Sequence, residues 1–95
     1  MHEAGVAERV LELVLTRAEE AGATRVTVVE LEAGEAAGVS REAVEFHWQE
    51  AARGTLAEGA TLRFVDVDDD PTAFRLVAIE ADRLSPRAAA APPAG

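Results

Sequence analysis

The 95-residue sequence predicts a small α/β (α+β-like) domain of two helices on a three-stranded sheet, in the order helix-strand-helix-strand-strand. Three observations lead there. Apolar residues recur at helical spacing in two segments. β-Branched residues are concentrated in three shorter ones, and Gly, Pro or Asp-rich turns separate the five. Hydrophobic residues make up 48% of the chain, enough for a modest core without cross-links.

The first helix lies in "AGVAERVLELVLTRAEEAGAT", beginning a few residues after His2. Val6, Val10, Leu13, Val14, Ala18 and Ala21 form its apolar side, Glu8, Glu12, Glu19 and Glu20 cover the other, and Gly22 is a suitable stop. "TRVTVVELEA" reads as a strand with Val29, Leu31 and Ala33 on the core and Glu30 and Glu32 opposite. Gly34 and Gly38 then flank a loop suited to positive φ angles. Ser40 is a good N-cap for "REAVEFHWQEAAR", whose core face is Val44, Trp48 and Ala51 or Ala52. Phe46 is expected to pack with Trp48, and Gly54 ends the helix. "ATLRFVDVD" and "AFRLVAIEAD" are the remaining strands; the link between them reads as a tight reversal that pairs them antiparallel. The domain is thus expected to span residues 1–84, with the Ala/Pro-rich residues 85–95 a disordered tail.

A formal net charge of −9 argues against nucleic acid or an anionic membrane as partner and suits a basic protein or a cation. No run of about 18 apolar residues is present, and the acidic start lacks the basic region of a secretory signal, so a cytoplasmic location is expected. Cysteine is absent, which excludes disulfides, thiolate metal sites and cysteine nucleophiles. Tyrosine and lysine are absent too, and the two histidines fall in different elements. No constellation for acid–base or nucleophilic catalysis emerges, so the chain does not read as an enzyme.

Several residues invite chemistry. His2 stands beside the α-amine, which without lysine is the only amine in the molecule. With a reference pKa of about 7.7–8.0, that amine is partly free to bind a metal near neutral pH. An N-terminal histidine can simply fray in water, or amine, amide nitrogen and imidazole can chelate one ion. His47 and Glu50, three residues apart on the second helix, suit a metal, a proton shuttle, a partner-facing surface or an ordinary helix surface. Asp66, Asp68 and Asp70 alternate as in a calcium loop, but Pro71 stands where the turn glycine belongs and Val77 where the bidentate Glu belongs. A solvated turn fits better. The stripe Glu8, Glu12 and Glu19 reads as a solvated face that is also a docking surface for a basic partner.

The segment "RVTVVELEAGEAAGVSREAVEFHWQEAARGTLAEGATLRFVDV" closely resembles the nickel-binding domain of the HypA/HybF hydrogenase nickel-incorporation proteins. The resemblance is carried in order by Leu31, Gly34, Gly38-Val39, Glu42-Ala43, Phe46, Gly54-Thr55 and Glu58-Gly59-Ala60, and by the Met1-His2-Glu3 start before a helix. It runs to about residue 68 and resumes at "FRLVAIEAD". It implies a nickel metallochaperone with Met1, His2 and Glu3 as the Ni(II) site, a nickel-iron hydrogenase large subunit as recipient, and a HypB-type GTPase as accessory partner. The family's zinc module, with its two Cys-x-x-Cys pairs between the last two strands, is replaced here by "DDDPT", so no structural zinc is expected. Its absence opens the alternative of a metal-independent assembly chaperone or bound subunit that keeps only the docking surface, to which His47 would belong.

Overall fold

A computed structural model describes residues 3–67 and 69–83, the latter without the Arg83 side chain. The expected tail, residues 85–95, lies outside the described residues, as do Met1, His2 and Asp68. The elements are α1 (Glu3–Glu20), β1 (Ala23–Ala33), α2 (Arg41–Ala51), β2 (Thr61–Val65) and β3 (Phe74–Arg83). Gly22, at φ 68°, turns α1 into β1, and Gly54, at φ 80°, lies just beyond the end of α2. Ser40 caps α2 with φ −80° and ψ 119°, its Oγ accepting the Ala43 N–H at 3.2 Å.

The sheet order is β2-β1-β3, with β1 in the centre. β1 runs parallel to β2, placing Val29 beside Leu62 and Leu31 beside Phe64. It runs antiparallel to β3, placing Val29 beside Ile79 and Leu31 beside Leu76, with register irregularities along the ladder. The expected β2–β3 pairing is therefore corrected: these strands occupy opposite edges. The reason is the passage through α2, a crossover that lays β2 parallel to β1 and fills one side of it. Only the other side remains for β3. The link from β2 consequently passes the end of β1, where Gly34 N–H donates to the Ala73 carbonyl at 2.9 Å and Ala36 N–H to the Pro71 carbonyl at 2.7 Å. Of the two loop glycines, Gly38 has positive φ, at 74°, and Gly34 does not. Gly34 is required for space, because a Cβ there would overlap the Pro71 backbone.

The core lies on one face of the sheet. α1 buries Val6, Ala7, Val10, Val14 and Ala18. They meet Val26, Val29 and Leu31 of β1, Leu62 of β2, and Val44 and Trp48 of α2. Each large side chain so enclosed contributes about 1.5–3 kcal/mol relative to exposure. Trp48 is fully buried, and its indole N–H donates to the Ala60 carbonyl at 3.1 Å. Phe46, expected in the core, is instead 65% exposed. Val44, Trp48 and Ala52 repeat every four residues, and Phe46 lies halfway between the first two, on the opposite side of the helix. Leu13 (48% exposed) and Ala21 likewise fall outside the core, because α1 turns its 6-10-14-18 stripe inward.

The opposite sheet face is charged. Arg63 bridges Glu30 and Glu80 at 3.3 Å each, and Arg75 pairs with Glu32. Among the described residues, no helix is long and apolar enough to cross a membrane.

Candidate functional site

Glu3 is the first residue of α1 and is half-buried. Met1 and His2, the other two expected metal residues, lie outside the described residues. The first turn of a helix carries unpaired N–H groups and a positive dipole end, so a cation placed there needs acidic neighbours. Such neighbours are present. A cleft of about 270 Å³ opens between the start of α1 and the last turns of α2, lined by Ala4, Glu8, His47, Glu50 and Ala51. Ala4 and Glu8 stand one turn apart on α1, and His47, Glu50 and Ala51 share one face of α2.

Two of the four residues expected to face a partner, Glu8 and His47, are thus brought together on this cleft. Glu12 and Glu19 are not; they remain exposed further along α1. His47 is half-buried, with the Phe46 ring set edge-on at 5.3 Å between centroids. Among the described residues, no group of three or more His, Asp or Glu side chains is placed to hold a metal ion.

The aspartates after β2 have structural partners. Asp66 pairs with Arg41 at 2.9 Å, and the same guanidinium donates to the Ala33 carbonyl at 2.7 Å and lies over the Phe64 ring. Asp70 accepts from the Thr72 hydroxyl at 2.6 Å and the Thr72 N–H at 3.0 Å. Those two bonds, the hydroxyl's first, hold its carboxyl below the usual carboxylate value. The arrangement is a hydrogen-bonded turn.

A second cleft, of about 430 Å³, lies between α1 and the start of β3. Val6, Val10, Leu13, Phe74 and Leu76 form its apolar walls, with Arg9 and Arg75 also lining it. Reading α1 as a two-sided helix hid it. The signal was Leu13, one position off the i, i+4 stripe, with Arg9 and Arg17 one helical turn to either side of it in an acidic chain.

A protein-family model described as hydrogenase/urease nickel incorporation, metallochaperone, HypA, matches residues 1–70. Hydrogenase maturation factor HypA of Chlorobium phaeobacteroides (strain BS1) is 43% identical over 68 residues, covering 72% of this chain and 60% of that protein. Its counterpart in Chlorobaculum tepidum is 47% identical over 62 residues, covering 65% and 55%. This chain therefore spans somewhat over half the length of these curated relatives. The solution structure of the Ni metallochaperone HypA from Helicobacter pylori shares the fold, with a TM-score of 0.76 at 15% identity over 88% of this chain and 100% of that one. The chain belongs to the HypA family of hydrogenase/urease nickel-incorporation metallochaperones.

Proposed function

We propose, from that membership, that this chain carries one Ni²⁺ at its N-terminus for maturation of a nickel-iron hydrogenase, with Met1, His2 and Glu3 as the binding residues. The observation that carries the reading is that the family match begins at residue 1 and includes the Met-His-Glu start. The chemistry is suitable. The Met1 amine, the His2 amide nitrogen and the His2 Nδ1 can close fused chelate rings around one ion, and nitrogen-rich sets favour tetragonal Ni²⁺. Binding to amide nitrogen displaces its proton, so affinity rises with pH. Glu3 adds a backbone nitrogen or a carboxylate oxygen beside the chelate. A site at a helix start, with open coordination positions, releases its cargo by ligand exchange to the hydrogenase large subunit. The acidic residues Glu8, Glu12 and Glu19 would meet a basic surface there or on a GTPase partner in the cytoplasm.

The test is a Ni²⁺ titration of a chain that begins at Met1, followed by calorimetry and visible absorbance. His2→Ala and an N-terminally acylated sample run beside it; without lysine, acylation reaches the terminus alone. One-to-one binding with a square-planar band, lost in both controls, is expected. Weak binding that survives both controls overturns the reading.

The exposed apolar cleft between α1 and β3 favours a second reading, a metal-independent assembly chaperone that only docks. Hydrogenase maturation in cells separates the two: His2→Ala abolishes it for a carrier and spares it for a docking module.

A further inference from the structure

We infer that the groove between α1 and β3 docks an acidic, amphipathic helix of another protein, its apolar side chains seated over Leu13, Phe74 and Leu76 and its carboxylates on Arg9 and Arg17. This docking goes beyond both readings above and needs no metal. It also lies apart from the Glu8, Glu12 and Glu19 stripe, about a third of the way round α1 and opposite in charge. Three observations support it.

The first is an apolar floor left without cover. Val6, Val10, Leu13, Phe74 and Leu76 wall the cleft of about 430 Å³. A neighbouring cleft of about 360 Å³ shares Leu13, Phe74 and Leu76 and continues past Thr16 and Arg17. Together they follow α1 for about three turns, from Val6 to Arg17. Leu13 is 48% exposed there, and Phe74 and Leu76 are half-buried. Clefts of this size take ligands.

The second is charge. The chain has a formal net charge of −9, yet Arg9, Arg17 and Arg75 border this groove. Arg9 and Arg17 stand one turn to either side of Leu13, and among the described residues neither has a carboxylate partner. Arg75 is held by Glu32. Glu20, at the far end, is the one lining carboxylate among the described residues. Two unpaired guanidinium groups around an exposed leucine fit a segment that carries apolar side chains with carboxylates beside them. They suit other occupants poorly. Residues 84–95 carry Arg87 and no acid, with Leu84 as their one large apolar side chain. A second copy meeting the groove about a two-fold axis sets arginine against arginine.

The third is the form of the edge. β3 is an edge strand, and a free edge invites pairing with an extended segment. Here Arg17 Nη1 donates to the Val77 carbonyl at 3.4 Å, and the register with β1 steps from Ala78 to Leu76, skipping Val77. An irregular edge with a carbonyl already engaged is guarded against strand addition. The groove therefore offers side chains along three turns of a helix. The partner suited to that is another helix, with apolar anchors at i, i+4 and i+7.

The probe is a synthetic helical peptide of about 15 residues with leucines at i, i+4 and i+7 and glutamates flanking them, beside a twin with lysine for glutamate. Each is titrated, without metal, into the isotope-labelled 95-residue chain while backbone amide resonances are followed by NMR. The glutamate peptide is expected to shift amides around Leu13, Phe74 and Leu76 and to bind at least about tenfold more tightly than its twin. Leu13→Gln should weaken it about tenfold. Arg9→Glu together with Arg17→Glu should reverse the preference between the twins, which an indifferent apolar patch does not do. Both arginines are exposed, and resonances away from the groove report that the fold is kept. No shift with either peptide, shifts confined to other surfaces, or equal binding of the twins overturns the inference. Concentration-dependent shifts of the groove amides in the chain alone overturn it in favour of a second copy. Movement of the 84–95 resonances on adding peptide overturns it in favour of the chain's own last residues. Failure here leaves the nickel-carrier reading standing, and failure of the Ni²⁺ titration leaves this docking standing.

Discussion

Gly34 and Pro71 meet backbone to backbone at the point where the β2–β3 link passes the end of β1. The Pro71 carbonyl accepts from Ala36 N–H at 2.7 Å, and the Gly34 N–H donates to Ala73 at 2.9 Å, so the short link is fastened across the central strand.

Gly34→Ala should therefore be costly. Its Cβ would overlap main-chain atoms, which cannot swing aside as a side chain can. We expect a loss of about 3 kcal/mol in urea denaturation, at the high end for a point change. Gly38→Ala meets open space but carries a φ of 74°, and should cost only about 1–2 kcal/mol. Equal costs at the two positions would refute the close-approach account.

Trp48 and Phe46, neighbours but one in α2, should behave oppositely. Trp48→Phe removes part of a fully buried side chain and strands the Ala60 carbonyl, for an expected loss of about 2–4 kcal/mol. Phe46→Ala, largely in solvent, should fall within about 0.5 kcal/mol of the parent. Thermal melts of the two variants decide the point.

Asp70 sets an acid dependence. Its folded-state pKa is lowered, chiefly by the Thr72 hydroxyl and then by the Thr72 N–H. The stability it contributes is complete above its ordinary unfolded value and is lost as pH falls through the folded one. Asp70→Asn should flatten the low-pH end of a melting-temperature profile, at and below the ordinary carboxylate range of about pH 4, while leaving its neutral region parallel to the parent's. An unchanged acid limb would count against the turn's role.

The acidic stripe offers a charge test. Replacing Glu8, Glu12 and Glu19 by Gln should leave the melting temperature nearly unchanged, since all three are exposed. Binding to a basic partner should weaken, and its salt dependence should shrink, because exposed charges act through a screened field. Undiminished salt dependence would place docking elsewhere.

What was legible in the sequence was local. The four-residue recurrence of Val6, Val10, Val14 and Ala18, the alternation around Leu31 and the Ser40 cap all depend on near neighbours, and each stands as read. Phe46 misled because an aromatic residue beside Trp48 resembles core until its angular position on α2 is considered. The β2–β3 pairing misled because adjacency in sequence favours a hairpin, whereas the α2 crossover leaves β3 only the far side of β1. The cleft joining Glu8 to His47 depends on how α1 and α2 pack, which no periodicity within either helix encodes. His2 drew attention through the amine beside it, and Met1 and Glu3 through the family resemblance of the opening, both properties of sequence alone.

β1 is hydrogen-bonded on both sides, to a strand that arrives through α2 and to one that arrives last in the sequence. Neither half of the chain can close a sheet alone, so nucleation must wait for contacts between residues far apart, and folding should be slow for the chain's size and all-or-none. Any proteolytic fragment ending before β3 would leave the long ladder of β1 unpaired and prone to self-association. The start of α1 and the faces available for docking therefore belong to one cooperative unit. Separating the roles proposed for these surfaces requires point substitutions across the whole domain.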